Sequence, residues 1–246
     1  MLDLPALGSS GLACAAEGGN TDVLKLLLRR AQRSVIESCR HAVYSAAVGE
    51  HTDAIELLLD YGFRVDEVVH EYRWTPLIAV CTGRRLRSSA VVDCLLRRGA
   101  DVTARARGGD TALHRAILAG VPDAVKSLIA AGSGLEARNN CGATPLICFA
   151  TDRRHGIRDM VALKILLDAG ADVHARNKRG RGVLHMLVGP FMGEERKIDV
   201  ARELLERGVD INSRDQDGAT PLGLLMQLDF SFPDFQALLV AHGAVE

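Results

Sequence analysis

The chain has 246 residues, 48% apolar and 25% charged, the composition of a folded globular protein and not of a disordered tail. Lys and Arg (30) nearly balance Asp and Glu (31), and the net charge of −1 gives no reason to expect nucleic acid or an anionic membrane as partner. Aromatic residues make up only 4%, so the core must come from small and aliphatic side chains, which suits closely stacked helices.

The N-terminal stretch MLDLPALGSSGLACAAEGG has no Lys or Arg before Lys25, so it lacks the charged start of a secretory signal. No run of about eighteen apolar residues exists that could cross a bilayer. A cytoplasmic location is expected, with the nucleus also compatible. Six cysteines are present without a pair of CxxC spacings, and Cys14, Cys81, Cys94 and Cys148 fall inside apolar helical patterns where a buried thiol is expected.

One start pattern recurs along the chain, at Ser10, His41, Thr75, Thr111, Thr144, Gly182 and Thr220, with spacings of 31, 34, 36, 33, 38 and 38 residues. Each start predicts a short helix, a turn and a second, Leu-rich helix. In chain order the second helices read LKLLLRR, IELLLDYG, VVDCLLRRGAD, AVKSLIAAG, LKILLDAGAD, ARELLERGVD and FQALLVAHGA. An extended polar hairpin then leads to the next unit. The segment GATPL occurs twice, at 142–146 and 218–222, because two periods and two five-residue insertions separate the copies.

Local signals agree with these helices. Pro76, Pro145 and Pro221 sit at a first helical position, where a missing N–H costs nothing, and the Thr before each is placed to cap. Pro122 and Pro233 open second helices in the same way. Gly62, Gly99, Gly132, Gly170, Gly208 and Gly243 follow second helices, where a left-handed residue ends the helix. Extra residues fall between the paired helices as RRLRSS (84–89), DRRHGIRD (152–159) and PFMGEERK (190–197), and are expected to be loops where added length does least harm.

The stretches DQDGATPL (215–222), TALHRA (111–116), LLRRGADV (95–102) and LLDAGADV (166–173) resemble the ankyrin repeat family, and the likeness runs from about Gly8 to Ala244. It implies an all-α fold, an ankyrin-repeat solenoid of helix-turn-helix units joined by β-hairpin-like loops. The seven repeats are placed at about 6–36, 37–69, 70–105, 106–138, 139–176, 177–214 and 215–246, in a single domain spanning 1–246. The resemblance also implies that His114 and His185 are structural brackets rather than catalysts, and that the hairpin tips and the outward residues of the first helices form the binding surface.

On that surface stand Glu71, Tyr72 and Trp74, then Arg105, Arg107, Asp110 and Arg115, then Arg138, Asn140 and Cys141, then Lys178, Arg179, Arg181 and Met186. Tyr72, Trp74, Arg105, Arg107, Arg115, Arg138, Lys178, Arg179, Arg181 and Met186 are the candidate partner-binding residues, because Trp, Tyr and Arg most often dominate binding energy. Two readings stand at Trp74: an anchor for a partner, or cover for a neighbouring hairpin. The basic residues likewise read either as solvated charge or as a surface for an acidic segment of a protein. In the last repeat Met226, Leu228, Phe230 and Phe232 offer an end-on contact, unless the two Phe fold back into the core. His174 and Asn212 match the positions that an oxygen-dependent hydroxylase modifies in the family.

No nucleophile elbow, zinc-helix motif or phosphate loop occurs, and the short glycine runs are explained by turns. The expected function is a non-catalytic protein-interaction scaffold or adaptor, without cofactor, metal, nucleic-acid or membrane partner. The alternative is a small-molecule binder or unconventional enzyme using Cys141, His114, Asp110 and Arg115, which requires a closed pocket of roughly several hundred cubic ångströms.

Overall fold

The computed structural model describes residues 4–30, 39, 41–69, 72–82, 89–151, 157–190, 192–228 and 232–246. They fall into two compact units, Met1–Ser133 and Gly134–Glu246. The first unit holds four helix pairs: α1 (Leu4–Glu17) with α2 (Thr21–Arg30), α3 (Ala42–Val48) with α4 (Thr52–Asp60), α5 (Pro76–Thr82) with α6 (Ala90–Arg97), and α7 (Ala112–Ala119) with α8 (Pro122–Ala130). The second holds α9 (Pro145–Phe149) with α10 (Ile157–Asp168), α11 (Val183–Leu187) with α12 (Glu194–Glu206), and α13 (Pro221–Met226) with α14 (Pro233–Ala241).

The punctuating residues act as their chemistry requires. Thr75, Thr144 and Thr220 accept, at Oγ1, the N–H of Ile78 (3.3 Å), Ile147 (3.4 Å) and Gly223 (3.0 Å), closing the N-termini of α5, α9 and α13. Where the repeat begins with His41 instead, no side-chain cap forms. Gly132 leaves α8 at φ 87°, a left-handed geometry that a side chain would strain, and the other five glycines after second helices share it.

Packing follows the helical period. In the first unit α4 buries Ala54, Ile55 and Leu58, α6 buries Val91, Val92 and Leu95, and α8 buries Ala124, Val125 and Leu128. The first helices present Ala42, Ala46 and Ala47, or Ala112 and Ala116, small enough for neighbouring helices to approach closely. In the second unit Leu163 and Leu166 of α10, Leu184 and Leu187 of α11, and Leu204 of α12 play the same part. Each buried Leu or Ile contributes about 1.5–3 kcal/mol, so stacking against neighbours supplies what one repeat cannot. Ion pairs link successive second helices: Arg98 joins Glu56 and Asp60 (2.8 Å to the latter), and Arg207 joins Asp168.

Two expectations need correction. Cys14 is exposed, because α1 turns Leu12, Ala15 and Ala16 inward and Cys14 lies off that stripe; Cys81, Cys94 and Cys148 are buried as expected. Burial pushes the Cys81 thiol up to about 12, so it stays protonated and inert. The insertion at 190–197 is not all loop, since Glu194–Lys197 form the first turn of α12 and Lys197 is buried. The 152–159 insertion ends inside α10, which begins at Ile157, and residues 84–88 lie outside the described residues.

Candidate binding surface on the hairpin tips

Each hairpin is closed by a backbone bond, Ala106 N–H to Asp110 (2.9 Å), Asn139 to Ala143 (3.0 Å), Asn177 to Arg181 (2.9 Å) and Asp215 to Ala219 (3.0 Å), and is braced by side chains. Arg105, Arg138, Arg176 and Arg214 share one register, and each donates Nη1–H to the carbonyl of the glycine four residues on: Gly109 (3.3 Å), Gly142 (3.1 Å), Gly180 (3.2 Å) and Gly218 (2.7 Å). In the second unit Arg138 also reaches the Arg176 carbonyl, and Arg176 the Arg214 carbonyl at 3.0 Å. The next residue braces the loop from within. Oδ1 of Asn139 accepts from the N–H groups of Cys141 and Ala143, Oδ1 of Asn177 from Arg179 and Arg181, and Oδ1 of Asp215 from Asp217 and Ala219.

Neighbouring tips are stitched by backbone bonds: Arg107 N–H to the Tyr72 carbonyl (2.8 Å) in the first unit, and Lys178 N–H to Cys141 (3.0 Å) and Gln216 N–H to Arg179 (3.0 Å) in the second. The approach is tight enough that a Cβ on Gly142 would stand 2.8 Å from Lys178 N. The tips are therefore fixed platforms for their outward side chains.

In the first unit the tip carries an aromatic pair. Val69 and Trp74 form an isolated antiparallel bridge, and Arg73 between Tyr72 and Trp74 adopts φ 54°, which brings the two rings to 5.5 Å with 34° between planes. Tyr72 is 60% exposed and Trp74 half-buried. Arg105 and Arg107 are exposed, whereas half-buried Arg115 places Nη2 2.8 Å from Asp110 Oδ2. Glu71 lies outside the described residues.

In the second unit Lys178 and Arg179 are exposed at the tip. Arg181 instead donates Nε–H to Asp215 Oδ2 at 2.9 Å. Burial would raise the Asp215 carboxyl, but Arg181 and the Ala219 and Asp217 N–H groups together hold it below its ordinary value. Met186 is half-buried with Sδ 3.8 Å from Asn177 Nδ2, so it supports the hairpin. Asn140 and Cys141 are exposed. The sequence shows the Arg-x-x-x-Gly spacing behind the guanidinium brace, a signal that reading these arginines only as surface charge overlooks.

Among the remaining candidates, His114 and His185 bracket their helix starts. His114 is fully buried, its Nδ1 accepting from Thr111 N–H (3.2 Å) and lying 2.9 Å from Thr111 Oγ1. His185 accepts the Gly182 N–H at Nδ1 (3.3 Å) and faces the Ala219 carbonyl with Nε2 (3.1 Å). Asn212 is engaged at both ends, donating Nδ2–H to Gly243 O (2.9 Å) and accepting Val245 N–H (2.8 Å). His174 is exposed beside a hollow of about 10 Å³ lined by Val173, Arg176, Asp210 and Ser213, room for one water. Met226 is 52% exposed, Leu228 and Phe232 are half-buried, and Phe230 lies outside the described residues. Among the described residues no helix is long and apolar enough to cross a membrane.

The family model described as "Ankyrin repeats" matches three times, over residues 12–106, 87–177 and 113–215. The chain is 36% identical over 104 residues to "Ankyrin repeat and SOCS box protein 11" of Danio rerio, which covers 42% of this chain and 34% of that protein. It is 32% identical over 135 residues to "Ankyrin repeat and KH domain-containing protein mask-1" of Caenorhabditis elegans, covering 52% of this chain and 5% of that protein. The chain thus matches about a third of one curated relative and a small part of the other. Among solved structures it is similar to the ankyrin repeat domain of Bcl-3, "a unique member of the IkappaB protein family", with a TM-score of 0.73 and 21% identity over 94% of this chain and 97% of that one, a likeness of fold.

Proposed function

The chain belongs to the ankyrin repeat family, whose repeats are generally protein–protein interaction modules, and we propose that it is a non-catalytic scaffold or adaptor that seats a partner protein on its hairpin tips. The observation that carries this reading is the Tyr72–Trp74 pair, Tyr72 exposed and Trp74 half-buried, on a tip held by a left-handed Arg73 and joined to exposed Arg107 through the Tyr72 carbonyl. Two aromatic rings offer large contact area at little entropic cost, and the positive charge of Arg107 on the adjoining tip attracts carboxylates. The partner is an acidic protein segment met in the cytoplasm or the nucleus. In the second unit Lys178 and Arg179 supply the accessible charge, while Arg138, Arg181 and Met186 hold the tips in place; Arg115 does the same in the first.

The test is quantitative capture from native extract by the intact chain and by a Tyr72→Ala, Trp74→Ala double variant whose far-ultraviolet circular dichroism matches it. Proteins captured specifically by the wild type are expected to drop at least about tenfold with the variant, the loss of a typical hot-spot anchor. Their capture is also expected to weaken as salt rises from about 50 to 300 mM, since exposed charge is screened. Equal capture by both proteins would remove the aromatic tip from the reading.

A further inference from the structure

Helix α2 divides sharply around its circumference. Leu24 and Leu28 are buried where α2 packs on α1 and α4. The opposite face is open and carries Asp22, Leu26 and Arg29, spaced so that all three point the same way. Leu26 is 58% exposed, with Val23, 40% exposed, and half-buried Leu27 along one flank. Among the described residues only Tyr72 is a more exposed large apolar side chain than Leu26. A surface helix ordinarily turns polar residues outward, whereas here an apolar stripe faces away from the core.

The charges on this face have a direction. Asp22 lies in the first turn of α2 and Arg29 two turns later, with Leu26 between them. Lys25 stands on the flank away from Val23, 3.9 Å from Asp22. Both of those side chains are exposed, so water screens the pair and Asp22 keeps an open side. Arg29 has no ion-pair partner among the described residues. Two such helices set face to face and end over end bring Asp22 of each against Arg29 of the other, and the two Leu26 side chains meet near the dyad. The two-fold axis keeps each flank on its own side, so Val23 and Leu27 of both copies share one edge of the contact. The face is therefore complementary to itself, in charge and in apolar area.

We propose that α2 is a self-association surface, on which a second copy of this chain docks with its own α2 antiparallel to the first. The net charge of −1 sets up no general repulsion between copies. Two ten-residue helices make a contact below the roughly 1,200 Å² of stable complexes, so the pairing is weak and reversible.

Sedimentation equilibrium of the intact chain between about 5 and 500 µM tests this, the range in which so small a contact forms and breaks. The average mass is expected to climb from that of one chain toward that of two, and Leu26→Glu is expected to remain a single chain. Asp22→Arg sets Arg against Arg29, and Arg29→Asp sets Asp against Asp22; each is expected to weaken association about tenfold. The Asp22→Arg, Arg29→Asp double variant rebuilds both pairs in reverse and is expected to return to within about threefold of the wild type. Each single change also opposes the dipole of α2, an effect that accumulates in the double variant, so recovery reports the pairing between copies. The three positions are exposed, and far-ultraviolet circular dichroism confirms that each variant is folded. A wild-type chain that stays single throughout would leave this face to a different protein and overturn the proposal. So would association that survives Leu26→Glu, or a double variant no tighter than either single change.

Discussion

His114 and His185 occupy equivalent places in their repeats, and hydrogen bonds fix what each can be. At His185 the Nδ1 accepts a backbone N–H while Nε2 faces a carbonyl, which requires a neutral ring protonated at Nε2. Burial lowers its pKa below 6.5, outweighing the Ala219 carbonyl and Asp215, which favour the charged form. The unfolded ring takes up a proton near 6.5 while the folded ring does not. The stability it contributes is therefore complete above that value and lost as pH falls through the lowered folded one. The urea midpoint is expected to fall between pH 7 and pH 5, and His185→Gln to show a smaller fall; equal falls would place the sensitivity elsewhere. The bracket role was legible from the pattern. The pairing of Arg115 with Asp110 and of Arg181 with Asp215 was not, because nothing in a run of charges tells which arginine finds a carboxylate within the chain and which faces a partner.

At the scale of the elements, the helix pairs were readable because Thr-Pro starts and glycine stops punctuate them, and the hairpins less so because a few backbone bonds and side-chain braces hold each one. The glycines separate two kinds of constraint. Gly132 has φ 87° with open space around its missing Cβ, so Gly132→Ala is expected to cost about 1–2 kcal/mol of left-handed strain. Gly142 adds a backbone contact at 2.8 Å, and Gly142→Ala is expected to cost roughly a further 1–3 kcal/mol because the neighbouring tip must move. Urea denaturation at constant slope compares the two, and equal losses would mean that the tips are not stitched. The first turn of α12 escaped the sequence because its apolar stripe begins only with Val200, Ala201 and Leu204, while hydropathy counts the buried Lys197 as surface.

For the molecule as a whole, seven units in register made the fold legible: each repeats the same punctuation and the family match spans most of the chain. The binding surface is legible only in part, since hairpin tips and scaffold draw on the same residue types and a shared fold does not name a partner. Trp74 is the chain's only tryptophan, so one label reports on the aromatic tip directly. The decisive measurement is the fluorine spectrum of the 5-fluorotryptophan protein as a captured partner is added. A single Trp74 resonance that shifts or broadens to saturation at stoichiometric partner, and does so less readily as salt is raised, is the predicted result. A complex that forms while the Trp74 resonance stays unchanged would contradict it.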